Sequence, residues 1–192
     1  MIRGIGAVTI DRVVRPIQLP HDLELRLVRA DDATRLADAY TRNREYLAPW
    51  EPLRPDAFFE PEWHDDEVRL QLGSAAEGRS LPLVITDGDR IVGRLNLSNI
   101  VRGASQSASL GYWVDRHYAG RGVGTAAVLA AIDLARDELT LHRLEAGTLV
   151  HNHRSQRVLV NAGFEPIGLA PRYLRIAGQW QDHRLFQRLL DD

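Results

Sequence analysis

The chain has 192 residues and contains neither cysteine nor lysine, although it carries 24 basic residues, all of them arginine. Without cysteine it has no disulfide scaffold, no thiol nucleophile and no thiolate metal ligand. Without lysine it can use neither a Schiff base nor the lysine of a Walker-type phosphate loop. The absence of cysteine is typical of a reducing compartment, and the arginine bias is typical of genome composition.

The chain also lacks a long apolar run and a strong excess of charge. The longest clean apolar run, Ala126–Ile132, is far too short to cross a bilayer. Asp11 and Arg12 interrupt the start of the chain, so it does not resemble a signal peptide. A net charge of −2 does not indicate a nucleic-acid binder. We therefore expect a soluble, cytoplasmic protein without membrane contact.

The hydrophobic patterning predicts a mixed α/β sheet in one domain over residues 22–192, preceded by an extension over residues 1–21. The predicted strands are Leu23–Val28, Leu81–Thr86, Ile91–Ile100, Ser107–Val114, Arg143–Val150, Phe164–Gly168 and Arg184–Leu190, with a hairpin over Tyr173–Trp180. The predicted helices are Ala30–Asn43, Pro61–Ala76, Thr125–Leu139 and Asn152–Ala162. Four prolines between residues 48 and 62 predict a loop between the first two helices.

A glycine-rich turn, HYAGRGVGTAA over residues 117–127, joins a predicted strand to a predicted helix. Backbone N–H groups at such a helix start have no intrahelical partner, and the helix dipole favours an anion there. The segment therefore predicts a site for a phosphorylated ligand.

A dinucleotide is one alternative ligand, because Gly122, Gly124 and Ala127 match the Gly-x-Gly-x-x-Ala fingerprint. In that fingerprint the turn begins at the strand end, whereas here residues 115–119 intervene. Glu145, which would contact the ribose, stands early in its predicted strand instead of at its carboxyl end. These two departures argue against a dinucleotide. Acyl-CoA and a glycine turn without any ligand are the remaining alternatives.

The same turn resembles the pyrophosphate-binding turn of the GNAT acetyltransferases, Arg/Gln-x-x-Gly-x-Gly/Ala, with Ala119 at the first position. Asn152 to Ser155, followed by Gly163-Phe164, resembles the family's Asn-x-x-Ser…Gly-Phe segment beside the pantetheine arm. Further segments resemble the RimJ type, the ribosomal-protein alanine N-acetyltransferases: Asn43–Pro52, Leu97–Gly103, Leu110–Tyr112 and Tyr173–His183. The likeness extends from about Leu25 to Leu190.

The resemblance implies the GNAT acyl-CoA N-acyltransferase fold, a mixed central sheet flanked by helices. It implies a splay between the fourth and fifth core strands, here Ser107–Val114 and Arg143–Val150, with the pantetheine of acetyl-CoA in the gap. A primary amine would attack the thioester directly, and a backbone N–H near Val114 would stabilise the developing oxyanion.

The resemblance also assigns candidate roles to side chains. Glu145 is the candidate base, with His151 and His153 as alternatives, and Ser155 or Tyr173 would supply a proton or hydrogen bond to the leaving thiolate. The expected contacts of acetyl-CoA are Val114, Gly120, Arg121, Gly122, Val123, Gly124, Thr125, Asn152 and Ser155. The expected lining of the acceptor site is Trp50, Asn99, Arg102 and Tyr112.

The expected function is acetyl transfer to the N-terminal α-amine of a protein such as a ribosomal protein. A small-molecule amine and a non-catalytic CoA-binding module that contacts the ribosome or a regulator are the alternatives. No metal site is expected, because His151 and His153 have no further ligands near them in sequence. The sequence does not distinguish a monomer from a homodimer.

Overall fold

The computed structural model describes residues 15–190, which form an eight-stranded mixed sheet. The strands are β1 (Ile17–Leu19), β2 (Leu23–Leu27), β3 (Leu81–Asp87), β4 (Arg90–Val101), β5 (Ser107–Val114), β6 (Arg143–Leu149), β7 (Glu165–Ile176) and β8 (Gln179–Leu189). Their spatial order is β1-β2-β3-β4-β5-β6-β8-β7. Neighbours are antiparallel except β5 and β6, which run parallel. The predicted mixed α/β class is confirmed.

Five α-helices within residues 15–190 flank the sheet. They are α1 (Ala33–Arg42), α2 (Arg44–Leu47), α3 (Pro61–Ala76), α4 (Val123–Asp133) and α5 (His153–Asn161). Proline at the first position starts α3, where its missing N–H has no cost. The Asn152 side chain caps α5 by accepting a hydrogen bond from the backbone N–H of Ser155. None of the described helices is both long and apolar enough to span a bilayer.

The two faces of the sheet carry separate hydrophobic clusters. On one face, α4 and α5 pack with residues such as Leu95, Leu144 and Phe186. On the other face, α1 and α3 enclose an aromatic cluster that includes Tyr40 and Phe58. Because side chains alternate along a strand, β3 and β4 contribute buried residues to both clusters.

The predicted splay lies between β5 and β6. These strands pair only at Ser107 with Arg143, Ala108 with Leu144 and Ser109 with Glu145. Beyond that point β6 keeps its pairing with β8 through Leu149, while β5 keeps its pairing with β4 through Val114. The second halves of β5 and β6 therefore part and leave a gap through the sheet.

The prediction of separate short strands after Gly163 was wrong. The structure has one long hairpin of β7 and β8, with its turn at Ala177-Gly178 as the sequence indicated. The pairing register shifts between Ala170 and Leu174, and Arg172 has a φ of 49°. This irregularity interrupts the alternation of side chains, so the pattern of a single strand is lost from the sequence.

A buried histidine predicts acid sensitivity of the fold. His64 is fully buried and stacks on the Tyr40 ring at 5.4 Å between centroids. Burial, with a further contribution from Arg94, lowers its pKa to about 4. The neutral form is thus favoured in the folded state, so stability is complete above the unfolded pKa of about 6.5 and is lost as the pH falls toward 4.

We expect protonation of His64 to lower the free energy of unfolding by roughly 3 kcal/mol between pH 7 and pH 4. Urea unfolding at several pH values measures the loss, and the His64→Gln variant should show a flatter dependence between pH 6.5 and 4. An equally steep dependence in both proteins would contradict this interpretation.

Candidate active site

The gap between β5 and β6 opens into a cleft that passes from one face of the sheet to the other. Its lining comes from five parts of the chain: the end of α2 with the loop that follows it, strand β5, strand β6, helix α5 with the residue before it, and strand β8. The lining residues are Leu47, Trp50, Glu51, Leu110, Gly111, Tyr112, Trp113, Ala146, Gly147, Thr148, Leu149, Asn152, Ser155, Leu159 and His183. Four of the predicted site residues therefore lie together in the lining of the cleft: Trp50, Tyr112, Asn152 and Ser155.

A pair of hydroxyl groups lies on the α5 face of the cleft. The Tyr112 Oη is 2.9 Å from the Ser155 Oγ and 3.1 Å from the Ser155 carbonyl oxygen. Burial raises the pKa of Tyr112 to about 12, against a smaller opposite effect of its bond to Ser155. Tyr112 therefore keeps its proton at neutral pH, and the pair can donate a hydrogen bond to a ligand in the cleft. Tyr112, expected to line the acceptor site, thus lies beside Ser155 in the lining of the cleft.

The glycine turn begins α4 on the same face. Gly120 and Gly122 have φ values of 77° and 82°, a left-handed conformation that glycine adopts without strain. Gly124 lies against β5, because a Cβ there would be 3.7 Å from the Val114 Cγ2. Val123 is buried and Thr125 is half-buried, whereas Arg121 is exposed beside Tyr118. The N-terminus of α4 thus stands next to the end of β5, where it can hold an anion.

Asp115 ties this turn to α1. Its carboxylate accepts hydrogen bonds from Asn43 Nδ2 at 3.0 Å, Arg42 Nε at 3.0 Å and the His117 N–H at 2.9 Å. Burial alone would raise the pKa of Asp115, but these bonds outweigh it and lower the pKa to about 2. The turn that follows β5 is therefore fixed by a buried charge.

The opposite face of the cleft has a different lining. Trp50 lies with its ring 5.6 Å from the His151 ring, and Trp113 donates a hydrogen bond to the Tyr40 hydroxyl. His183 is buried, and its Nδ1 is 3.0 Å from the Gln181 carbonyl oxygen. Tyr173 is 49% exposed at the rim, with its ring 5.5 Å from the His183 ring. Aromatic rings and polar atoms thus surround this end of the gap.

Three candidate residues lie outside the cleft. Glu145 is exposed where β5 and β6 still pair, and its nearest cation is Arg143 at 3.7 Å. Asn99 is exposed at a register shift of β4, and the Arg102 side chain donates to the Leu139 carbonyl. Asn99 and Arg102 stand where β4 ends and β5 begins, at the opposite end of β5 from the splay. The structure therefore does not bring these three side chains into the cleft.

Sequence reasoning missed two titratable side chains and one hydroxyl in the cleft. Glu51 stood in the Trp50-Glu51-Pro52 segment that carried the resemblance, and His183 stood at the end of the Tyr173–His183 segment. Thr148 is buried, and its Oγ1 has no hydrogen-bond partner in the part of the chain that the structure describes. An unpaired buried hydroxyl at the gap fits a polar pantetheine chain, and the glycine turn at the start of α4 fits a pyrophosphate.

No group of three or more histidine, aspartate or glutamate side chains within residues 15–190 could hold a metal ion. Among the described residues, the polar side chains that line the cleft carry hydroxyl groups, one carboxylate, one imidazole, one carboxamide and two indole N–H groups.

Comparisons with known proteins agree with this geometry. Residues 22–165 match the family model described as acetyltransferase (GNAT) domain. The chain is 38% identical over 165 residues to the [ribosomal protein uS5]-alanine N-acetyltransferase of Escherichia coli K12, covering 85% of each chain.

Two solved structures are also similar. The ribosomal-protein-S5-alanine acetyltransferase of Vibrio fischeri has a TM-score of 0.89 and 34% identity, covering 93% of this chain and 98% of its own. Mycobacterium smegmatis RimJ, in complex with CoA-disulfide, has a TM-score of 0.86 and 33% identity, covering 92% of this chain and 86% of its own. The family match spans most of the chain, and the splayed sheet with its glycine turn is the expected fold, so the chain belongs to the GNAT acetyltransferase family.

Proposed function

We propose that this enzyme transfers the acetyl group of acetyl-CoA to the N-terminal α-amine of a protein, such as a ribosomal protein. The observation that carries this proposal is the cleft at the gap in the sheet, which Trp50, Asn152 and Ser155 line together. The glycine turn lies next to the end of β5 at the same gap. The names of the relatives from Escherichia coli and Vibrio fischeri support the choice of acceptor. A cytoplasmic location, where ribosomal proteins are made, is part of the proposal.

The donor binds on the α4 and α5 face. Acetyl-CoA supplies the thioester, and the RimJ structure with CoA-disulfide supports this choice of donor. The backbone N–H groups of Gly122, Val123 and Gly124 at the start of α4 face the pyrophosphate, and Arg121 and Thr125 flank it. Asn152, at the start of α5, offers an amide to the pantetheine chain.

The chemistry requires little activation of the acceptor and a donor for the leaving group. An α-amine has a pKa of about 7.7–8.0, so a useful fraction is deprotonated at neutral pH. The Ser155 hydroxyl, held by Tyr112 at 2.9 Å, donates to the leaving thiolate. Direct attack by the amine then needs no covalent intermediate on the protein, in keeping with a chain that has no cysteine.

The glycine turn gives a test of the donor site. Gly122→Ala places a Cβ in open space but at a φ of 82°, so its cost is backbone strain of roughly 1–2 kcal/mol and not a clash. Because the N–H groups of the turn move to relieve that strain, we expect the KM for acetyl-CoA to rise about tenfold.

Gly73→Ala is the matched control, since Gly73 lies in helix α3 at a site that is equally open. It should leave the KM unchanged and increase stability by roughly 0.5–1 kcal/mol. If Gly122→Ala and Gly73→Ala have the same KM for acetyl-CoA, acetyl-CoA does not bind at the glycine turn.

The acceptor is tested by release of free CoA thiol with a panel of amines. We expect turnover with peptides that start with alanine or serine, and none with the same peptides acetylated at the N-terminus. Turnover with small free amines alone would favour a small-molecule acetyltransferase. Tight CoA binding without turnover on any member would favour a binding module.

A further inference from the structure

Glu51 is the only carboxylate among residues 15–190 that lines the cleft. Its side chain is 18% exposed, whereas the Glu145 side chain is 48% exposed and lies outside the cleft. Arg94, which acts on the Glu51 charge, lies beside the Tyr40 hydroxyl in the aromatic cluster of α1 and α3, so Glu51 lies on the side of the sheet opposite helix α5. A single, mostly buried negative charge thus stands on the side from which an acceptor would enter.

The loop that carries Glu51 is anchored to the β7–β8 hairpin. The Ala177 N–H donates a hydrogen bond of 2.9 Å to the Glu51 carbonyl oxygen. Leu53 packs against the hairpin turn, where a Cβ added to Gly178 would be 3.0 Å from the Leu53 Cδ1. These contacts fix the backbone at Glu51, so its carboxylate is held at the cleft and is not free to swing with a mobile loop.

One cation contacts the carboxylate without enclosing it. The Arg54 Nε is 3.4 Å from the Glu51 Oε2, and the Arg54 guanidinium also lies over the Phe58 ring at 4.3 Å. The Arg54 contact is long and made through one nitrogen, unlike the paired bonds of 2.7 and 2.9 Å that Arg26 makes to Asp32. Glu51 therefore keeps the capacity to accept a further hydrogen bond from a ligand.

We infer that Glu51 is the general base of the reaction and accepts the proton that the attacking amine must lose. This inference rests on the proposed function. The amine nitrogen forms a bond to the acetyl carbon and the bond from that carbon to sulfur breaks. One amine proton passes to the Glu51 carboxylate, and the departing thiolate accepts a hydrogen bond from the Ser155–Tyr112 pair on the other face of the sheet. Glu51 then releases its proton to solvent, and the thiolate takes its proton from solvent. An acceptor that arrives as an ammonium ion first loses one further proton, through Glu51 to solvent.

Electrostatics favour Glu51 over His183, the histidine that lines the cleft. At neutral pH most of the acceptor arrives as an ammonium ion, which the negative charge of a carboxylate attracts. Burial raises the pKa of Glu51 above its ordinary value, against smaller opposite effects of Arg54 and Arg94. The shift brings its pKa closer to that of the amine, and this makes proton transfer more favourable.

The test compares Glu51→Gln and Glu51→Asp with the control Glu45→Gln, an exposed glutamate in the nearby helix α2. We expect Glu51→Gln to lower kcat/KM for an alanine-starting peptide by roughly 10²-fold, with the affinity for CoA unchanged. Glu51→Asp should restore a large part of the rate, and Glu45→Gln should match the wild type. The loss in Glu51→Gln should shrink as the pH rises, because more of the acceptor is already a free amine.

A rate within threefold of wild type in Glu51→Gln, or a loss that does not depend on pH, would overturn the assignment. A loss in Glu145→Gln or His183→Asn with Glu51→Gln intact would overturn it as well and move the base to that residue. If the wild type acetylates no peptide, the proposed function fails. The role of Glu51 toward the amine is then tested by measuring peptide binding. Glu51→Gln should then weaken the affinity of CoA-loaded protein for the alanine-starting peptide at least tenfold, and equal affinities would overturn the inference.

Discussion

Replacement of Ser155 with alanine should lower kcat by roughly 10²-fold and leave the KM for acetyl-CoA within about threefold of the wild type. The Ser155 hydroxyl lines the cleft and is bonded to Tyr112, which burial keeps protonated. Without that hydroxyl, the thiolate must leave without a hydrogen bond from the Ser155–Tyr112 pair. Steady-state kinetics with a saturating peptide measure the change.

Ser105→Ala is the control, because the Ser105 hydroxyl is exposed and bonded only to the neighbouring Ser107 among the contacts in the structure. It should be as active as the wild type. The kcat of Tyr112→Phe should lie between those of Ser155→Ala and Ser105→Ala, because Ser155 keeps its hydroxyl group and loses only its hydrogen bond to Tyr112. If Ser155→Ala has full activity, the hydroxyl pair does not assist the leaving group.

Replacement of Asp115 with alanine should reduce the free energy of unfolding by about 3 kcal/mol. Its carboxylate is 1% exposed, and its removal leaves Asn43, Arg42 and the His117 N–H without their acceptor. Because Asp115 links the end of β5 to the glycine turn, we also expect a higher KM for acetyl-CoA. Urea unfolding at pH 7 gives the first quantity and thiol release gives the second.

Asp137→Ala is the matched control for this loss. Asp137 pairs with Arg136 at the surface, so its removal should change stability by less than about 0.5 kcal/mol. The Asp115 contribution should also vanish in acid, because its folded pKa of about 2 lies below the unfolded value of about 3.9. Wild type and Asp115→Ala should thus approach each other in stability as the pH falls from 4 to 2, and a constant difference would contradict the role of its charge.

The sequence predicted those parts of the fold in which local pattern and tertiary structure agree. Strand β5 has the predicted bounds, Ser107–Val114, since its apolar residues alternate up to the acidic cap of the next turn. Helix α3 likewise begins at the predicted Pro61, where proline suits a helix start. Strand β7 was predicted in pieces, because its exposed edge and its register shift remove the alternation on which the prediction depended.

The site was less predictable because its geometry depends on long-range contacts. Ser155 and Asn152 were found through a local motif at the start of one helix. Glu51 reaches the cleft only because its loop bonds to a hairpin turn more than a hundred residues away, and no local pattern carries that information. Glu145 was chosen for its strand, but the position at which two strands part is set by their pairing and cannot be read from either strand alone.

The most direct test of the central claim is mass spectrometry of an alanine-starting peptide after incubation with acetyl-CoA and this enzyme. If the cleft joins a donor on one face to an amine on the other, a single acetyl group should appear on the N-terminal nitrogen, with one equivalent of CoA released. The same peptide with a blocked N-terminus should remain unmodified even if it carries a lysine. Acetylation of the lysine side chain in the blocked peptide, or release of CoA without any modified peptide, would contradict the account.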